Sequence, residues 1–276
     1  MHSAPRPAPQ QSLGRFGIFS HELRSEDPAL QDRRRHAAAE LEDLGFGAIW
    51  LGGNSSVHHA AALAESTERI ALATGILKIW HENADTVARQ RAELEDAHPG
   101  RFLLGLGASH AQLAPELPAA LAALGPKMLR LARDRAAGAH PAMVTPEYIE
   151  QAREVLGDGP LLAPVVTVVL ENDRVRARAI ARDFLDLYLR LPNYTTNFER
   201  LGFTDEDFTG GGSDRLVDAL VAWGLDDTIS GRLTEFHTAG ADHLALQLIT
   251  GEGGESPPLA QWRRLADLTG VTAKSA

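Results

Sequence analysis

Cysteine is absent from all 276 residues. That excludes disulfides, thiolate metal sites and cysteine nucleophiles. Positive charge is in deficit: 27 Lys and Arg stand against 37 Asp and Glu, a net charge of −10. Such a chain offers no general basic face to nucleic acid or to an anionic membrane. No stretch approaches the roughly 18 uninterrupted apolar residues of a membrane span. Residues 1–14 hold three prolines and no apolar run, so they form no signal-peptide core. They read as a disordered N-terminal arm, and the chain as a cytoplasmic protein. What is present is ordinary globular material, 44% hydrophobic and 23% charged. It suffices for one sizeable core, predicted as a single domain over residues 15–276.

Short apolar runs alternate with amphipathic stretches along this region. The pattern predicts strands over 15–20, 46–52, 70–80, 101–109, 119–124, 139–144, 161–170 and 242–249. Helices are expected over 29–44, 57–67, 85–97, 126–137, 145–156, 173–190, 226–239 and 258–269. Thr145 with Pro146 marks one helix start, and Gly45 ends the first helix. Residues 191–224 form an excursion after the seventh strand, with the loop Gly210-Gly211-Gly212. Eight strands, most of them followed by helical material, predict an α/β fold of (β/α)8 TIM-barrel type. An open doubly wound sheet is the alternative.

In a barrel of this kind the chemistry lies at the C-terminal strand ends. Four of the 11 histidines fall there: His21, His81, His110 and His140. Gly105–His110 begins like a dinucleotide fingerprint, but His110 replaces the third glycine and prolines follow where a helix should start. His21-Glu22 and His81-Glu82 lack a second histidine four residues on, and no Gly-x-Ser-x-Gly elbow occurs. His58-His59 is expected to point two adjacent side chains apart, which suits a metal poorly, so no metal site is predicted. Gly125-Pro126-Lys127-Met128 runs off a strand into a helix. Free first-turn N–H groups and Lys127 could hold a phosphate there, and an ordinary capped helix with a solvated lysine is the competing reading. Trp50, Trp80 and Trp223 are candidates for an apolar pocket, with Trp50 read chiefly as core.

At these same residues the chain resembles the luciferase-like flavin and deazaflavin oxidoreductases, more narrowly the actinobacterial branch that uses coenzyme F420. The segments ELEDLGFGAIWLGG, ERIALATGILKIW, HPGRFLLGLGASH, ALGPKMLRLARDRAAGAHPAMVTPEY, LRLPNYTTNFERLGF and GGSDRLVDALVAWG carry the resemblance, in order, over nearly the whole chain after residue 14. It implies a (β/α)8 barrel with an excursion after strand seven. It also implies a deazaflavin or flavin ring over the barrel mouth, supported by a strand-three bulge with a non-prolyl cis peptide at Thr74, Gly75 and Ile76. Lys78, His81 and Asn83 become neighbours of that ring. The loop Gly107–His110, Ser109 included, would line its other side, and Gly125, Pro126, Lys127 and Met128 would meet the tail phosphate. The implied reaction is hydride transfer between coenzyme F420 and a small organic substrate. The implied proton donor or acceptor is His110, or else His81 or His21. An FMN-dependent monooxygenase and a cofactor-binding barrel without turnover are the alternatives. Relatives pair through barrel faces, so a homodimer is compatible.

One segment departs from the resemblance. Between His110 and the fifth strand only AQLAPELP remains, where relatives carry a loop and a helix. A barrel strand is about 20 Å tall, and eight extended residues reach at most about 28 Å. Either the chain is shortened there, baring strands four and five, or a natural segment is missing from this sequence. The second reading is favoured, since losing an outer helix forfeits much burial. It predicts a break or an abnormally long neighbour distance within Gln112–Pro118.

Overall fold

The structure, a computed structural model, describes residues 13–24, 26–80, 82–107, 119–251 and 256–272. Its strands are β1 (Phe16–Ser20), β2 (Ala48–Gly52), β3 (Ala71–Gly75), β4 (Leu77–Lys78), β5 (Phe102–Gly107) and β6 (Ala119–Leu121). They continue with β7 (Gly138–Ala139), β8 (Leu161–Leu162), β9 (Val165–Val169), β10 (Val221–Trp223) and β11 (Leu244–Leu248). The α-helices are α1 (Gln31–Asp43), α2 (Val57–Ala64), α3 (Ala84–Ala97), α4 (Pro126–Arg135) and α5 (Pro146–Leu156). After them come α6 (Arg174–Leu189), α7 (Pro192–Arg200), α8 (Asp214–Leu220), α9 (Asp226–Thr238) and α10 (Leu259–Thr269).

The result is an α/β fold with one curled, wholly parallel sheet in the order β10-β9-β11-β1-β2-β3-β5-β6-β7-β8, with β4 beside β5. The predicted seventh strand is two pieces, β8 and β9, parted by Ala163-Pro164. Pro164 has no N–H to give a ladder. On one side, Ala163 and Val165 donate to the carbonyls of Ala139 (2.9 Å) and Pro141 (2.8 Å). On the other, Ala245 donates to the Pro164 carbonyl (3.0 Å). The two ends of the curled sheet thus meet through residues 161–169. The predicted sixth strand, 139–144, shrinks to Gly138–Ala139, and β10, from the excursion, takes the upper edge of β9 instead.

Side-chain alternation along the strands sorts the core into two layers. In β2, Ile49 and Leu51 join the layer under the helices with Ile18, Leu72, Leu104 and Val166. Ala48 and Trp50 turn to the lumen with Ala71, Ala73, Ala120, Ala163 and Ala245. Alanines leave the width that Trp50 fills. Leu13 is part of this lumen layer and fully buried, so the packed unit starts before the boundary placed after residue 14. Residues 1–12 of the predicted arm lie outside the described residues.

Helix starts follow their local chemistry. Asn83, Thr145, Asp173 and Ser213 each accept a first-turn N–H of the helix that follows. The excursion packs α7 and α8 against α6 around Phe198, Leu185 and Leu216. The segment 108–118, and the break predicted within it, lie outside the described residues. Leu104, Leu106 and Leu121 on the flanking strands are buried.

A column of rings runs up the lumen. His243 Nδ1 donates to the Gly14 carbonyl (2.9 Å), and its Nε2 accepts from Trp50 Nε1 (3.0 Å). Trp50 lies flat on His140, centroids 4.0 Å apart and planes at 8°. His140 Nδ1 donates to the Ala163 carbonyl (2.6 Å). Burial pushes both histidines down to about 4, chiefly by desolvation. Their folded values lie below the unfolded value of about 6.5, so the unfolded chain binds more protons between those limits. Stability should therefore be full above about pH 6.5 and fall as the pH drops toward 4, by on the order of 1.4 kcal/mol per pH unit for each histidine. Urea midpoints measured from pH 7 to pH 4.5 test this. A profile about half as steep in His140→Phe as in the parent would assign part of the slope to His140 and leave the rest to His243.

Candidate active site

The ends of β1, β2, β3 and β5 make one continuous rim. The bond Gly75–Ile76 is cis, as the resemblance implies for residues 74–76. Ile76 donates to the Gly53 carbonyl (3.0 Å), and its own carbonyl accepts from Ser55 N–H (3.3 Å). The chain therefore turns outward at Gly75 and resumes as β4, splitting the predicted third strand. Thr74 holds the place where the ladder to β5 lapses. Its hydroxyl donates to the Gly105 carbonyl (2.9 Å) and accepts the Gly105 N–H (2.8 Å).

Gly105 is required by close approach to backbone, and Gly107 leaves the space that the end of the Ile76 side chain fills. A Cβ at Gly105 would strike the Thr74 carbonyl oxygen, and one at Gly107 would strike Ile76 Cδ1. These glycines, which imitate a dinucleotide fingerprint in the sequence, serve the fit of β5 against the β3 bulge. Lys78 lies alongside, its side chain exposed and its N–H donating to Asn54 Oδ1 (3.2 Å).

His21 stands at the end of β1. Its ring meets Phe19 edge-on (5.4 Å), and the Gln247 amide nitrogen lies 3.4 Å from Nε2. Desolvation lowers its pKa, with Arg24 adding to the effect and Glu22 opposing it. The ring is thus neutral near pH 7, able to accept a proton. His140 sits deeper, with Nε2 directed to within 3.4 Å of where a Gly75 Cβ would lie. That nitrogen is buried and has no partner among the described residues.

The structure therefore brings Thr74, Gly75, Ile76, Lys78, Gly107 and His21 to one rim. Asn83 is placed at the N-cap of α3, its Oδ1 accepting the Asp85 N–H (2.8 Å). His81, Ser109 and His110 lie outside the described residues. Gly125, Pro126, Lys127 and Met128 open α4, where Met128 N–H is already taken by the Gly125 carbonyl (3.0 Å). Sequence reasoning passed over Arg200, whose guanidinium lies 3.6 Å from the position of a Gly125 Cβ. It also passed over Gln247, although a lone amide in the apolar run LALQL was a readable signal. Trp50 is wholly buried, while Trp80 is 63% exposed. Trp223, half-buried, donates to Asp218 Oδ1 (2.9 Å).

With this geometry the comparisons acquire a structural meaning. Residues 15–117 match the sequence model of the luciferase-like monooxygenase family. They carry that family's sequence over β1–β5, the strands that build the rim. This stretch is similar to the luciferase-like monooxygenases. A 4-hydroxyprotoasukamycin monooxygenase of Streptomyces nodosus subsp. asukaensis is 33% identical over 105 residues, covering 34% of this chain. The match spans 28% of that relative's length.

Solved structures extend the likeness to the whole fold. A coenzyme F420-dependent tetrahydromethanopterin reductase from Methanopyrus kandleri superimposes with a TM-score of 0.71 at 16% identity, covering 93% of this chain and 97% of that one. The FMN-bound oxygenating constituent of a 3,6-diketocamphane monooxygenase from Pseudomonas putida gives 0.66 at 15% identity, covering 94% and 98%. These identities show the shared fold.

Thr74 gives a direct test of the rim. Thr74→Val removes both hydrogen bonds to Gly105 and leaves its buried N–H and carbonyl unpaired. We expect a loss of about 1–3 kcal/mol in urea unfolding, with Thr74→Ser close to the parent.

Proposed function

We propose that the chain is a luciferase-like oxidoreductase that transfers a hydride between coenzyme F420 and a small organic substrate at this rim. The observation that carries the choice of cofactor is the cationic opening of α4. Lys127 and Arg130 project from its first turns, no acidic residue lies in its first turn, and Arg200 reaches the Gly125 N-cap from α7. Neither Lys127 nor Arg200 has an ion-pair partner among the described residues. An anionic, phosphate-bearing tail would satisfy them, and a helix N-terminus favours the same charge. The fold shared with the F420-dependent reductase agrees with this choice.

The residues present fit such a group. The rim at Gly75, Ile76 and Gly107 offers backbone and small side chains on which a flat ring can rest. The orphaned His140 nitrogen marks polar capacity beneath it. When bound, the deazaflavin supplies hydride chemistry. This chain's own residues do the rest. Thr74 and Gly105 fix the bulge, Lys78 and the start of α4 hold anionic groups, and neutral His21, with the Gln247 amide beside its ring, is the group that takes or returns a proton.

Titration of the purified protein with coenzyme F420 and separately with FMN, followed by tryptophan fluorescence, tests the reading. Micromolar F420 binding with much weaker FMN binding is expected. Arg200→Ala should weaken F420 by about tenfold or more, the equivalent of one charge-assisted hydrogen bond. Tight FMN binding would instead favour a flavin monooxygenase; the Streptomyces relative is named a monooxygenase. Binding of neither would overturn the oxidoreductase.

A further inference from the structure

A second cluster lies on the shoulder of the barrel, in the loops after β1 and β2. Ser56 is the N-cap of α2 and closes a reciprocal box with His59, its N–H donating to His59 Nδ1 (2.9 Å). The same serine hydroxyl lies 2.7 Å from His58 Nδ1 and 2.8 Å from His59 Nδ1. One hydroxyl thus gathers two successive rings, which stack with centroids 4.1 Å apart and planes at 29°. The expectation that these neighbours point apart is therefore corrected, because the cap overrides the usual divergence of adjacent helical side chains.

With both Nδ1 atoms turned to Ser56, both Nε2 atoms face Glu26. Its Oε1 lies 3.1 Å from His59 Nε2 and 3.7 Å from His58 Nε2. The three ligand atoms fall within 4.8 Å of one another. A tetrahedral ion with bonds of about 2.0–2.1 Å sets its ligand atoms about 3.3 Å apart, between the two observed separations. His59 is buried, while His58 and Glu26 are exposed, so an ion can enter from solvent. A cavity of about 320 Å³ adjoins the three side chains, bounded by Leu23, Gln31 and Leu63, with room for a water as fourth ligand.

We propose that Glu26, His58 and His59 form a binding site for a divalent transition-metal ion of the zinc class. Two imidazoles and one carboxylate suit zinc, cobalt, nickel or copper, whereas calcium and magnesium call for oxygen ligands throughout. Ser56 supplies the outer contact that orients both rings. His59 Nε2 now donates its proton to Glu26, so binding at Nε2 requires the other tautomer: that one proton is exchanged through solvent to Nδ1, where the Ser56 hydroxyl accepts it. The Ser56 N–H then gives up its bond to the ring, a cost that restrains affinity. None of the three ligands belongs to the rim at Gly75, so the site stands apart from the proposed hydride chemistry.

The test uses the untagged full chain, stripped with a chelator and titrated with zinc chloride by calorimetry, and with cobalt chloride by visible absorption. One equivalent should bind, with a tetrahedral cobalt band. His58→Ala and Glu26→Gln should each weaken binding by about tenfold or more. Both alter exposed side chains, so the metal-free circular dichroism and melting temperature should match the parent. His59 is left intact because it also closes the helix cap. A parent that binds no stoichiometric zinc, or either variant binding as tightly as the parent, overturns the site.

Discussion

The lumen of the barrel is organised by one indole. Trp50 is anchored below by the bond from its Nε1 to His243 and covered above by the His140 ring. The lumen alanines exist in relation to it, since larger side chains on those strands would compete for the same space. His243 ties the column to the segment before β1 through the Gly14 carbonyl, and His140 ties it to the segment that closes the sheet through Ala163. Floor, wall and closure thus meet in three rings. Phe19 and His21 continue the series to the rim.

Above this column the fold trades regular pairing for shape. The ladder between β3 and β5 ends early, and Thr74 replaces the lost backbone bonds with its hydroxyl. Ile76 can then lie against Gly107, and the chain resumes as β4 beside the end of β5. A polar side chain inside an otherwise apolar strand is the means by which the rim gains a shelf without leaving buried donors unpaired. The family stretch ends just beyond β5, so the shelf lies within the part of the chain whose sequence is most family-like. The cationic start of α4 and the Arg200 that approaches it come from the remainder.

Most elements were legible. Period-two apolar runs and capped amphipathic stretches gave their order and kind, and Thr145-Pro146 marked the start of α5 to the residue. Edges were less legible where a proline or a bulge interrupts a run. Pro164 divides what reads as one apolar strand, and Ile76 divides another. The rim candidates at Thr74, Gly75, Ile76, Lys78 and Gly107 came from the family resemblance, and they do lie together. Arg200 was not legible, because its partner surface at Gly125 is some 75 residues away and only the packing of α7 brings them together. The stacking of His58 and His59 escaped for a local reason: sequence spacing gives directions around a helix axis, not the pull of a shared cap.

By itself, the sequence determined the alternation of strands and helices, the parallel sheet that follows from it, and the set of strand ends where polar residues gather. Those are consequences of local periodicity and capping, which neighbouring residues decide among themselves. The tertiary structure alone decided which polar groups are paired. It gave Trp50 to His243, left His140 Nε2 without a partner among the described residues, turned Glu26 toward two stacked imidazoles, and set Arg200 at the mouth of α4. Burial and hydrogen-bond partnership depend on residues distant in the chain, and those are fixed only when the sheet curls and its layers pack.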